Sequence, residues 1–153
     1  MRTISLRTCV LVLMAMFCVV SMGAAASQEE AKALAEKAAI FAKTQGKDKA
    51  LAEFNNPSGQ FTKGELYIFA NNWNGDCLAQ GGNPKLVGQN HLGLKDSTGK
   101  AFMKEFIEVA KTKGSGWVVY SWTNPTTKKI GAKATWVQKV EGADYFVGCG
   151  VYK

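Results

Sequence analysis

GELYIFANNWNGDCLAQ, residues Gly64 to Gln80, decides how the rest of the chain is read. Leu66 to Ala70 is an almost unbroken apolar and aromatic run, a composition suited to a central strand buried on both faces. Asn74-Gly75 most readily takes the positive φ angles of a tight two-residue turn, so Asp76 to Gln80 is expected to return alongside as a hairpin. A helical pattern precedes the hairpin, and strand-like runs follow near Trp117, Thr135 and Phe146. The flanking elements must therefore pack on this sheet or pair with it.

Upstream, Gln28 to Thr44 sets Ala31, Leu34, Ala35, Ala38, Phe41 and Ala42 on one stripe, with Lys32, Glu36, Lys37 and Lys43 elsewhere. This predicts a helix whose narrow, alanine-rich face can lie close to a sheet. Gly46 stops it, Lys47 to Phe54 gives a second short helical segment, and Asn55-Asn56-Pro57-Ser58-Gly59 ends regular structure. Further back, Arg2 and Arg7 precede the apolar run Cys9 to Val20, followed by small residues up to Ala26. That is the pattern of a secretory signal peptide over residues 1–26, with cleavage after Ala26 or two residues earlier. The run falls short of the ~20 residues a bilayer requires, so the mature chain is expected to be soluble.

Downstream, Gly81 to Asn90 is rich in turn formers, with Leu86 and Val87 as inward anchors. Asp96-Ser97-Thr98-Gly99 opens a helix at Lys100, with Phe102, Phe106, Val109 and Ala110 on one stripe and Lys113-Gly114 at its end. A calcium loop at Asp96 lacks the alternating ligands and closing glutamate. Gly116 to Thr123 alternates with aromatics on both faces. Asn124-Pro125 turns the chain into Lys129 to Val140, and Glu141-Gly142 turns it again into Tyr145 to Tyr152, a three-stranded meander. Gly148 and Gly150 share one face of the last strand, where bare positions permit close approach.

A chain of 153 residues with 46% apolar content makes one domain. Loss of residues 1–26 removes Arg2 and Arg7 and no acid, lowering the formal charge of +7 by two. No arginine remains and the lysines are scattered, with Lys47/Lys49, Lys111/Lys113 and Lys128/Lys129 as the densest pairs, so nucleic acid is not an expected partner. Cys9 and Cys18 leave with the leader. Cys77 and Cys149 lack metal-site spacing. Export favours a disulfide between them, whereas strands on either side of a third would hold them about two spacings of ~4.8 Å apart, too far to bridge; both readings stand.

The segments ELYIFANNWNGDCLAQGGNPKLVGQN, DSTGK, GSGWVVYSW and YFVGCGVY, in this order of elements, resemble the single Cache domain, the extracytoplasmic PAS-like sensor module of bacterial chemoreceptors and sensor kinases. The resemblance covers most of residues 28–153 and makes 27–153 the domain. Gln80 departs from it, standing where the family usually has histidine, and so does His91, where an aliphatic residue is common. The resemblance implies an α+β fold. Its five-stranded antiparallel sheet has the order 2-1-5-4-3, with a long N-terminal helix on one face, a helix and loop inserted between strands 2 and 3, and a small-ligand pocket on the other face.

His91, the only histidine, has no cysteine, serine or acid at a catalytic spacing, so an enzyme is not expected. Its plain reading is an exposed loop residue, with a pocket donor as the alternative. Trp73, Tyr120, Trp122 and Trp136 are ordinary strand and turn aromatics, or walls of a cavity if the resemblance holds. Lys133 interrupts the apolar strand IGAKATWV and resembles the lysine that precedes an aromatic there in many Cache domains. It is either a solvated strand position or a cation that holds a carboxylate. The resulting expectation is a periplasmic or secreted binding protein for a small organic anion, a short-chain carboxylate. Trp73, Trp122 and Trp136 would wall the pocket, and Lys133 and Tyr120, with Gln80 or Asn83, would hold the ligand. It would serve signal transduction or chemotaxis by presenting the ligand to a membrane receptor, kinase or transporter, with no metal or other cofactor. The contrasting expectation is an interaction protein whose pocket is filled by its own side chains.

Overall fold

The computed structural model describes residues 25–153; the signal peptide read at 1–26 lies almost wholly outside the described residues. Helix α1, Gln28–Gln45, starts at a reciprocal cap in which Ser27 Oγ accepts from Glu30 N (3.1 Å) and Glu30 Oε2 accepts from Ser27 N (2.8 Å). It ends at Gly46, whose φ of 84° an L side chain tolerates poorly, and α2, Lys47–Phe54, follows directly. Ala31, Ala35, Ala38 and Ala42 are buried, so α1 lies flat on the sheet as the alanine stripe requires.

The expected strand Leu66 to Ala70 is divided. Leu66–Tyr67 (β2) pairs with Thr62–Lys63 (β1) in a small ribbon, and Phe69–Asn72 (β3) enters the main sheet. The break falls at Ile68, whose N–H donates to Phe61 O while its carbonyl accepts from Gly81 N. Nor is the connection to Cys77–Gln80 (β4) a two-residue turn. Asn72 N bonds Asp76 O across Trp73, Asn74 and Gly75, with Gly75 at φ 86°, and the Asn72 side chain accepts from Asn74 N and Asp76 N. A register shift between Ala70 and Asn71 follows.

A 3-10 turn, Pro84–Leu86, and an irregular loop lead to α3, Phe102–Lys113. Of the two expected anchors there, Leu86 is half-buried while Val87 is 40% exposed, because Gly88 bonds back to β4 and turns Val87 outward. The helix begins two residues later than expected, since Asp96 ties the preceding loop instead: its carboxylate accepts from Thr98, Lys100 N and Ser121 N. Ser115–Thr123 (β5), Ile130–Lys139 (β6) and Tyr145–Tyr152 (β7) complete the antiparallel sheet in the order β4-β3-β7-β6-β5. The position at the middle of the sheet belongs to β7, flanked by β3 and β6.

The sheet divides the core. On one face α1 and α2 cover Ile68, Ala70, Ala134, Val147, Cys149 and Val151; on the other α3 covers Phe69, Val118, Tyr120, Val137 and Phe146. Cys77 and Cys149 are both free and buried, on strands either side of β3. Burial pushes their thiols up to about 11 and about 12.

Candidate functional site

On the α3 side, where β2, the end of β4 and the β5–β6 turn meet, the surface opens into a cleft of about 480 Å³. This falls in the range of small-molecule sites. Tyr67, Gln80, Gly82, Asn83, Leu86 and Trp122 form its walls, and Lys85 and Lys128 stand at its rim. Gly82 is bare because the Tyr67 ring packs on it; a Cβ would lie 2.6 Å from Tyr67 Cε1. A small hollow of about 10 Å³ lies behind, sharing Gln80 and Trp122 with the cleft and otherwise lined by Phe69, Asn71, His91, Tyr120 and the α3 residues Phe102, Met103 and Phe106. It has room for one water at most.

Beneath the cleft is Lys133, fully buried. It is not a solvated strand residue. Strand alternation places it on the α3 face with Thr135 and Val137, opposite Tyr120 of β5 and Tyr152 of β7. Its aliphatic stem passes over Gly150, where an added Cβ would sit 2.8 Å from Lys133 Cε and would collide with Thr135 Oγ1. Nζ donates to Tyr67 Oη at 2.7 Å and lies 4.0 Å from the Tyr67 ring centroid and 4.9 Å from that of Tyr152. Tyr67 Oη is in turn 3.4 Å from Tyr152 Oη, which donates to Thr123 O at 2.8 Å. No ion pair links Lys133 to any described acid.

Electrostatics follow from that burial. Removal from water pushes the Lys133 amine down to about 7, with Cys149 and Glu65 opposing only in part. Desolvation holds the Tyr67 phenol well above its usual range, with Tyr152 adding to it. It raises Tyr120 and Tyr152 likewise. A buried amine flanked by neutral phenols and without a carboxylate partner is a site that an anion can complete.

The seven candidate residues fall into three groups. Gln80, Asn83 and Trp122 line the cleft, with the Asn83 side chain also accepting from Lys85 N. Tyr120 and Lys133 lie just behind it: Tyr120 stacks on Phe102 with centroids 4.6 Å apart, and its hydroxyl accepts from Thr135 Oγ1 at 3.5 Å. Trp73 and Trp136 are elsewhere. Trp73 sits at the β3–β4 hairpin, stacked on Phe146 with Lys111 over its ring. Trp136 is on the opposite face, edge-on to Trp117 and under Lys32. His91 is not exposed: it is buried, its Nε2 has no hydrogen-bond partner among the described residues, and burial lowers its pKa.

Sequence reasoning missed Tyr67, Tyr152, Lys85 and Lys128. Hydroxyl-bearing aromatics in otherwise apolar strands are a detectable signal, since a buried phenol needs a partner. A second hollow, of about 420 Å³ at the α1–α2 corner, includes Lys47, but Asp144 already neutralises that lysine at 2.8 Å.

A Cache domain family model matches residues 22–153. The methyl-accepting chemotaxis protein McpP of Pseudomonas putida is 28% identical over 86 residues, 56% of this chain and 16% of that protein. The sensor histidine kinase MctS of Rhizobium johnstonii is 31% identical over 86 residues, 56% of this chain and 18% of that protein. The chain thus matches less than a fifth of the length of these curated relatives. Among solved structures, a Cache chemosensory domain described for its carboxylic acid recognition superposes with a TM-score of 0.64 at 25% identity, over 81% of this chain and 86% of that one.

Proposed function

The chain belongs to the Cache domain family of periplasmic, ligand-binding sensor domains found in chemotaxis proteins and sensor kinases, and we propose that it binds a short-chain carboxylate in the cleft above Lys133. The observation that carries this reading is the buried Lys133 amine, which among the described residues has tyrosine and no acid beside it. The carboxylate accepts hydrogen bonds from Tyr67 Oη and from the Gln80 and Asn83 amides, with Trp122 covering the alkyl portion. Lys133 supplies positive charge through Tyr67, whose hydroxyl it polarises. Lys85 and Lys128 at the rim raise the local concentration of anions. The carboxylic acid recognition described for the structural neighbour supports the ligand class.

Among the described residues no histidine, cysteine or serine lines the cleft, and the chain's role in this reading is binding and presentation. It is exported by the leader at residues 1–26 and passes the signal to a membrane receptor, kinase or transporter. No helix of the described residues is long and apolar enough to cross a membrane.

A thermal-shift screen against short-chain carboxylates, amino acids and purines tests this reading. A ligand at 100 times its Kd adds about 2.7 kcal/mol to folding stability. One specific observation favours a second reading, an interaction protein with a self-filled pocket: Tyr67 already occupies the hydrogen-bonding position next to Lys133. That reading expects no shift from any carboxylate.

A further inference from the structure

Lys133 is fully buried, and among the described residues its amine has one hydrogen-bond partner, Tyr67 Oη at 2.7 Å. Every packed element around it contributes neutral groups near neutral pH. From β2 comes Tyr67, from β5 Tyr120, and from β7 Tyr152 and Cys149, all with ionisation pushed up by burial. His91, on the wall of the inner hollow, is held neutral by burial. Among the described residues Glu65 is the one acid whose charge reaches Lys133, and its carboxylate accepts from Asn124 Nδ2 at 2.6 Å. The exposed charges at the cleft are the rim lysines Lys85 and Lys128.

We propose that anion entry is proton-linked: the carboxylate is taken up together with a proton that comes to rest on Lys133 Nζ, so the site senses ligand and pH jointly. This rests on the carboxylate reading above and adds the regulation of the same site. A charged amine in this enclosure has only the partial compensation of Glu65 until an anion arrives, and a bound anion lacks compensation until the amine is charged. Each therefore favours the other, by the reciprocity that governs any two linked binding equilibria. The overall event is neutral: one carboxylate and one solvent proton join a neutral amine to give an ammonium–carboxylate pair.

The direction with pH follows. The free-state amine titrates at about 7 and the anion raises that value. Affinity is therefore flat on the acid side and falls as pH rises through 7, by about tenfold between pH 6 and pH 8. Deprotonation of the ligand itself, a carboxylic acid that titrates at about 4 to 5, is more than nine-tenths complete by pH 6 and contributes little in this window.

Calorimetric titration of propionate into the protein, in two buffers of different protonation enthalpy, counts the protons taken up per ligand. The expected uptake is about 0.1 at pH 6 and about 0.9 at pH 8. With Lys133→Arg, whose guanidinium stays charged, uptake should be absent at both. Propionate binding without proton uptake at pH 8 overturns the linkage and leaves the carboxylate reading standing. In the ligand-free protein, a Lys133 side-chain NMR titration, assigned by its loss in Lys133→Met, should have its midpoint near 7. A midpoint near 10 overturns the linkage however tightly propionate binds. No binding of propionate, acetate or pyruvate at either pH, with the midpoint still near 7, refutes the carboxylate reading and the linkage with it.

Discussion

Replacing Lys133 with methionine should make the ligand-free protein more stable, and more so at pH 6 than at pH 9. Methionine keeps most of the stem that lies over Gly150 and removes the amine. In the folded state the amine titrates at about 7 rather than its ordinary 10.5. The unfolded chain therefore holds more protons between those values, and wild-type stability rises with pH across that window. At 1.36 kcal/mol per tenfold change, the burden on the wild type is roughly 5 kcal/mol at pH 6 and roughly 2 kcal/mol at pH 9, before the loss of the hydrogen bond to Tyr67 is counted. That loss returns about 1 kcal/mol. Urea unfolding of both proteins from pH 6 to pH 9 measures the difference, in which the buried Cys77 and Cys149, raised in both proteins, cancel. A gap that narrows by about 2 to 3 kcal/mol over this range supports the reasoning. A variant that is less stable than wild type at pH 6, or a gap that stays constant with pH, refutes it.

Trp122→Ala should weaken carboxylate binding by about 0.5 to 1.5 kcal/mol, since it opens the cleft wall, whereas Trp136→Ala, on the other face, should lower stability and leave affinity unchanged; calorimetry and thermal melts separate the two. Gly150→Ala should cost about 1 to 3 kcal/mol by chemical denaturation, as the new methyl meets Lys133 Cε and Thr135 Oγ1. Intact mass of the exported protein should show a chain beginning near Ser27, and retention of residues 1–26 would make it a tethered protein.

The parts of the fold that were legible are those where spacing and burial coincide. Ala31, Ala35, Ala38 and Ala42 announce a helix that lies flat on a sheet, and Glu141-Gly142 separates two clear strands of the meander. Leu66 to Ala70 was not legible in detail, because a run buried on both faces has no alternation to reveal that Tyr67 and Phe69 serve different sheets. For β6, Gly131, Ala132 and Ala134 offer no contrast of size or polarity, so the sequence left open whether Lys133 faced water. Trp136 likewise could not be assigned a face until the register with Trp117 and Cys149 was known. His91 looked like an exposed loop residue because its burial depends on the loop after it bringing Phe102, Met103 and Phe106 of α3 back over it, a tertiary contact that loop composition does not reveal. The cation of the site was thus visible as an anomaly in a strand, while Tyr67 and Tyr152, which give it its environment, were hidden among ordinary strand aromatics.

The most direct measurement is a calorimetric titration of wild type and Lys133→Met at pH 6, with the carboxylate that the thermal-shift screen selects. If Lys133 provides the positive charge beneath the cleft, the variant should bind about 2 to 5 kcal/mol more weakly while remaining fully folded. A difference well under 1 kcal/mol, and one that salt abolishes, would place the ligand out of reach of Lys133 and contradict the assignment of this cleft as an anion site.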